Sequence, residues 1–366
     1  MIDFRYHLVS LVSVFVALAV GIVLGAGPLR NGIADGLKAQ VDNVSAQNKT
    51  LKDEKATAEK GVTNRDTFVR GVVPQLVAQQ LTGRSVVVVT LPGSDTGAVK
   101  PLTQAIQAAG GRTTVQIDIK DSWTSPDTLA LRQRLADRWK SVLRTDPRVS
   151  PPAQASPSAA ASGAPTRPAT AAGLVAGASA AAASPSSQAT PAPVPFGAVL
   201  EQVLAWALVR DGGSQPDATA QAVLDGLSAE GLISVNGDPT GRATEAVLLA
   251  PPVEQVLAGA AQATPVPSPS TDLTPTWIAL AAALDDTSSG AVVVGPASSA
   301  ESGGVLAAVR SAPDVAAQVS TVDTGDTPMG DVTTVFALRE QLSGAAGAYG
   351  FGKAAKSTMP SPAAAP

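Results

Sequence analysis

The densest group of chemically capable side chains is the stretch TVDTGDTPMGD, which sets Asp323, Asp326 and Asp331 around Met329. Carboxylates at such spacing could hold a hard cation, which takes oxygen ligands. The same residues also suit the start of a helix. Thr327 is a good N-cap, and Pro328 fits the first helical position, where an N–H is not needed. Asp331 in the first turn meets the positive end of the helix dipole. Capping therefore accounts for the cluster without an ion.

Two further stretches lie where an open α/β sheet binds ligands, beyond the carboxyl ends of strands. They are Pro92-Gly93-Ser94-Asp95 and Gly295-Pro296-Ala297-Ser298. Neither has the glycine spacing of a dinucleotide site or the Gly-Lys-Ser/Thr of a phosphate loop, so both read as turns with N-caps. A pocket with carboxylates converging near Ser94 or Ser298 would be needed to revive an enzymatic reading. No catalytic residue is assigned, and the chain is expected not to be an enzyme.

Soft-metal and imidazole chemistry is almost closed to this chain. There is no cysteine and one histidine, His7, while the methionines are Met1, Met329 and Met359, far apart in sequence. That rules out disulfides, thiolate ligands and cysteine nucleophiles, and any multi-histidine metal site within one chain. Met329 is expected to pack at its helix start, since a thioether fills irregular apolar gaps. No bound cofactor is expected. Net charge is -4 and no basic cluster stands out, so nucleic acid is not an expected partner.

The 366 residues suffice for one large or two modest domains, with 15% charged residues against roughly 25% in an average soluble protein. The chain opens with a short head, residues 1–7, followed by 22 residues without a charge, residues 8–29. As a helix that run spans roughly 33 Å, a full hydrocarbon core. It is long for a signal-peptide core, and Pro28 follows the small triplet Gly25-Ala26-Gly27 awkwardly for a cleavage site. A retained transmembrane anchor is the favoured reading. A cleaved signal and a buried soluble helix stay open. The short head favours an N-terminus inside and the bulk outside the cytoplasm, at the cell membrane, with the outer envelope layer left open. Ala17, Gly21 and Gly25 recur every fourth residue, a smooth strip that lets membrane helices approach closely.

Residues 30–73 read as a helix with a heptad pattern. Val41 and Asn48 fall at position a, and Leu37, Val44 and Leu51 at d, as a coiled-coil stalk requires. Asn48 would fix register; Lys55 and Arg65 weaken the seam. Glu54 would face Glu59 in an identical parallel partner, so the stripe predicts a helical partner without deciding between a second copy and another membrane protein. An amphipathic helix folded onto its own domain also stays open.

Residues 84–150 and 196–345 carry the alternating strand–helix rhythm of a parallel α/β domain. Ser85–Leu91, Thr113–Ile119, Ala246–Ala250, Ala291–Gly295 and Val319–Val322 read as strands, with helical patterns between them. VVVVTLPGS echoes AVVVGPASS, which suggests two halves of a doubly wound, mostly parallel sheet. Residues 151–195 are Ala, Pro, Ser and Thr with one charge, too poor in large apolar groups to offset chain entropy, and read as a disordered insert. Residues 346–366 read as a flexible tail.

The opening MIDFRYHLVSLVSVFVALAVGIVLGAGPL, the stretches RSVVVVTLPG and AAGG, and the closing STVDTGDTPMGDVTTVFALREQLSGAAGAYG together resemble the mycobacterial copper transport protein B family of actinobacteria. The resemblance implies a cell-envelope location and a part in copper homeostasis or export, with copper a transported ion rather than a bound cofactor. It also implies an alternative, a non-catalytic scaffold in septal envelope assembly and cell division beside a partner membrane protein. It brings no site residue. One membrane helix cannot enclose a pore, and the chain lacks the alternating strands of a membrane barrel, so any pore would need several chains.

Overall fold

The structure, a computed structural model, describes residues 4–25, 29–145, 197–210, 217–237, 241–254 and 274–361. The expected insert at 151–195 lies outside them. The chain divides into two units, Met1–Phe68 and Val69–Pro366.

The first unit is helical. Helix α1, Phe4–Gly25, contains a candidate membrane span, Arg5–Val23, with none of its surface buried. Leu11, Phe15 and Leu18 are more than half exposed. A Cβ added at Gly21 or Gly25 would meet nothing within 4 Å, so the small-residue strip with Ala17 is an open face. Helix α2, Leu29–Leu76, begins in this unit. Its Leu37, Val41, Val44 and Leu51 are 51–62% exposed and Asn48 is exposed beside them, so none of the described residues covers the heptad stripe. Thr50, Thr57, Thr63 and Thr67 each turn a hydroxyl back to the carbonyl four residues earlier, which lets these polar side chains sit mid-helix.

The second unit is built on a mixed, mostly parallel seven-stranded sheet. Its strands are β1 (Ser85–Thr90), β2 (Arg112–Ile119), β3 (Ile233–Asn236), β4 (Glu245–Leu249), β5 (Ala291–Val294), β6 (Ser320–Val322) and β7 (Ala348–Tyr349). They lie in the order β3-β2-β1-β4-β5-β6-β7, and β3 alone among them runs antiparallel to its neighbour. The helices are α3 (Val99–Ala108), α4 (Leu129–Thr145), α5 (Gly197–Leu208), α6 (Ala218–Ala229), α7 (Thr274–Thr287), α8 (Val305–Ser311), the short α9 (Pro313–Ala316) and α10 (Pro328–Gln341).

The central strands are buried along their whole length, which is why they read as unbroken apolar runs. Their two-residue period divides them between two cores. Val87, Val89, Leu248 and Val293 join one core with α4 to α8. Val86, Val88, Val247, Leu249, Val292 and Val294 join the other with α3, α10 and the end of α2. Val69, Val73 and Val77, spaced by four, bring the last turns of α2 and the residue beyond it into this second core. The heptad spacing thus gives way to a four-residue row where the chain enters the domain, so the expected stalk boundary at residue 73 falls inside packed structure.

The tail departs from expectation. Residues 346–361 are not loose: β7 pairs with β6, Tyr349 is 5% exposed, and the backbone beyond it is hydrogen-bonded. Composition alone hid this, because the segment is rich in Gly, Ala and Lys and its hold comes from residues elsewhere in the chain.

Candidate functional site

The carboxyl ends of the strands carry the groups with chemical capacity. The strand order turns at β1 and β4, where open α/β sheets place ligands. Here the chain closes that crevice itself. Leu91 N–H donates to Leu249 O at 2.9 Å, and Ala250 N–H to Val294 O at 2.7 Å. The Ser94 hydroxyl donates to Leu249 O at 2.7 Å, and Ser299 to Pro251 O at 2.7 Å. The serine in the first expected turn therefore ties two loops together. Asp95 caps the short helical turn Thr96–Ala98 by accepting from Gly97 N–H at 2.8 Å, whereas the second turn has no side-chain cap.

The aspartates of TVDTGDTPMGD part company in three dimensions. Asp323 is fully buried and pairs with Arg310 at 2.9 Å. It also accepts from Phe351 N–H at 2.8 Å and Gly352 N–H at 3.0 Å. Arg310 donates further to Thr321 Oγ1, Tyr349 O and Lys353 O. This clasp fastens the last strand to the domain. Gly350 makes it sterically feasible: its φ is +123°, and a Cβ there would lie 1.9 Å from Asp323 Oδ1.

Asp326 and Asp331 instead line a cleft of about 140 Å³ with Arg70, Asp95, Gly97, Ala98, Pro101, Gly325, Thr327 and Pro328. Three elements of the second core position it. The end of α2 brings Arg70, the turn after β1 brings Asp95, and the start of α10 brings Asp331. Thr327 caps α10 as the sequence predicts, accepting from Gly330 N–H at 3.2 Å, with Pro328 at the first helical position. Thr327→Ala should lower unfolding stability by about 1 kcal/mol, read from urea denaturation, because that N–H loses its acceptor.

Asp331 is 8% exposed. Burial pushes its carboxyl up to about 7, and the Arg70 charge pulls the other way. Among the described residues no group of three or more His, Cys, Asp or Glu converges as a metal-binding set. Met329 and Met359 are 37% and 38% exposed, and Met329 joins neither core. Arg70 and the buried state of Asp331 were hidden in the sequence: Arg70 sits one residue past a heptad a position and reads as a solvated stalk residue. The helix-contact residues Ala17, Gly21, Gly25, Leu37, Val41, Val44, Asn48 and Leu51 belong to the first unit and are not among the residues that line this cleft.

The profile of a family described as "Copper transport outer membrane protein, MctB" matches residues 1–360. Curated relatives named "Copper transporter MctB" from Mycobacterium tuberculosis and Mycobacterium bovis are 26% identical to this chain over 363 residues, covering 98% of both. One of the same name from Mycobacterium leprae is 27% identical over 128 residues, 35% of this chain and 40% of its own.

Proposed function

The chain belongs to the MctB copper transport outer membrane protein family, and on that premise we propose that it is a single-pass envelope protein that keeps internal copper low as part of an assembly. The observation that carries this reading is the uncovered apolar helix Arg5–Val23, joined to a family match that spans nearly the whole chain. A single helix leaves no lumen, so passage of an ion calls for several chains or a partner. The open strip at Ala17, Gly21 and Gly25 and the uncovered stripe from Leu37 to Leu51 supply faces for such helix pairing. In this reading the N-terminus is cytoplasmic, the strand order is that of a doubly wound sheet, and the second unit stands outside the membrane without catalysing a reaction.

Copper(I) favours thiolates and thioethers, and this chain offers half-exposed methionines far apart in sequence. Tight copper binding by one chain is therefore not part of the proposal. A scaffold in septal envelope assembly remains the second reading, and it draws on the same uncovered helical stripe.

The test is cellular copper content in a host lacking the gene, complemented with the full chain or with a chain whose α1 is replaced by a cleavable export signal. Deletion should raise copper, the full chain should restore it, and the anchorless chain should fail although exported and folded. Unchanged copper on deletion, with a division defect instead, would overturn the transport reading in favour of the scaffold. Rescue by the anchorless chain would overturn the need for the membrane helix.

A further inference from the structure

We propose that α2 pairs with α2 of a second copy of this chain, in a parallel, in-register two-stranded coiled coil through Leu37, Val41, Val44, Leu51 and Val62. The proposal rests on the membrane-anchored reading above and names the partner of its helical stripe. These five side chains are 47–62% exposed, at heptad positions a and d. A helix standing in water draws most of its stability from packing of an apolar face. Gly61 and the β-branched Thr50, Thr57, Thr63 and Thr67 lower the intrinsic helix propensity of this stretch. None of the described residues covers the stripe, and a second helix is the cover that its spacing fits.

Three features select an identical helix as that cover. The first is the anchor. A span beginning at Arg5 sets every copy at the same depth and in the same direction. Two copies in one membrane thus meet parallel, each residue opposite its like, as an in-register homodimer requires. The second is Asn48, a polar residue within the apolar seam. At position a it faces Asn48 of the second copy, and an amide carries both donors and an acceptor, so it satisfies its own kind. A different partner would need a matching polar group at that level. The third is charge. Glu54 at g of the second copy meets Glu59 at e, a pair that by itself repels. Lys55, at a, enters the hole in the facing helix that the second copy's Glu54 helps to form. Its ammonium already lies 3.7 Å from Glu59 of its own helix. Each lysine therefore stands between the two carboxylates and bridges them. The preceding pairs, Lys52 with Gln47 and Ser45 with Gln40, bring no like charges together.

The chain has no cysteine, so one introduced thiol reports one contact. Val41→Cys, Val44→Cys and Leu51→Cys place it on the seam, whereas Ala46→Cys and Asp53→Cys place it at position f, on the outer face. Two differently tagged copies of each full-length variant are co-expressed, oxidised with iodine in their native membranes and sized without reductant. The seam thiols are expected to give a disulfide dimer carrying both tags, about fivefold or more above the thiols at f. Asn48→Asp in the Val41→Cys chain should lower that yield about threefold or more at pH 8, because it sets two carboxylates face to face, and Ala46→Asp should leave it unchanged. Equal yields at seam and f positions would overturn the proposal. So would seam thiols that stay monomeric or join only to another protein, and so would a yield that Asn48→Asp leaves untouched. Alkaline extraction of the same membranes tests the anchor separately. Release of the chain with seam dimers intact would overturn the anchor alone; retention without seam dimers would overturn the pairing alone.

Discussion

Asp323→Asn is expected to lower unfolding stability by about 3–5 kcal/mol, the usual cost of removing one partner from a buried ion pair. The Arg310 side chain is 3% exposed and its charge would remain in the interior without a counter-charge. The new amide would also turn one of the two acceptor oxygens into an NH2 group, facing either Phe351 N–H or Gly352 N–H, which now donate to different oxygens of the carboxylate. Urea denaturation followed by tryptophan fluorescence measures the loss. Hydrogen exchange at Phe351 and Gly352 should rise even where the rest of the domain stays folded, because the clasp holds this last segment. A loss under 1 kcal/mol with unchanged exchange would show that the segment is held by β7 pairing alone. Gly350→Ala should mimic the defect, since its methyl group would occupy the space of the Asp323 carboxylate.

Stability should fall as pH rises from about 4.5 to 7, and Glu245→Gln should remove part of that fall. Glu245 opens β4, is 0% exposed, and has a guanidinium nitrogen of Arg84 no nearer than 3.9 Å. Burial pushes its carboxyl up to about 7, with Arg84 opposing. Glu201 in α5 behaves alike: burial pushes it up to about 7 although Trp123 Nε1–H donates to it at 2.9 Å and Arg132 lies near. A raised carboxyl means the folded protein holds its proton where the unfolded chain has released it. The favourable contribution is complete below the unfolded value near 4.5 and gone above about 7. At pH 8 each group thus costs about 3 kcal/mol, from roughly 1.4 kcal/mol per pH unit. Glu245→Gln should be more stable than the wild type by up to that amount at pH 8 and equal to it near pH 4.5. A gain that is the same at both pH values would mean the side chain matters by shape rather than by charge.

Five of the seven strands and most of the helices were legible because each obeys a local rule. The run Val86–Val89 at the centre of β1 is apolar throughout, as suits a strand buried on both faces. Leu131, Leu135, Trp139 and Val142 recur at helical spacing, and α4 spans them. The start of α10 was legible down to its cap, because Thr327, Pro328 and Asp331 interact within one turn. Strand β3 was missed: ISVN is four residues long, and its antiparallel place beside β2 rests on backbone pairing with Gln116–Ile119, distant in sequence. Strand β7 was missed for the same reason. Two residues carry no period, and their register depends on Gly347 and Tyr349 meeting β6.

The sequence by itself determined the apolar opening helix, the apolar heptad stripe that follows it, the α/β rhythm and the absence of thiolate chemistry, because each depends on neighbours a few residues apart or on residue type alone. Tertiary structure alone decided what the aspartates of TVDTGDTPMGD do. Asp323 and Asp326 stand three apart in a turn, yet one is sealed against Arg310 and the other opens to a cleft with Arg70. Charge and spacing were identical information for both; which face of the β6 turn each side chain met, and whether water or a guanidinium lay there, depended on helices contributed from distant parts of the chain. Burial is a property of that assembled environment, and with it went the upward push on the Asp331 carboxyl, the locking of the last strand and the closing of the crevice between β1 and β4.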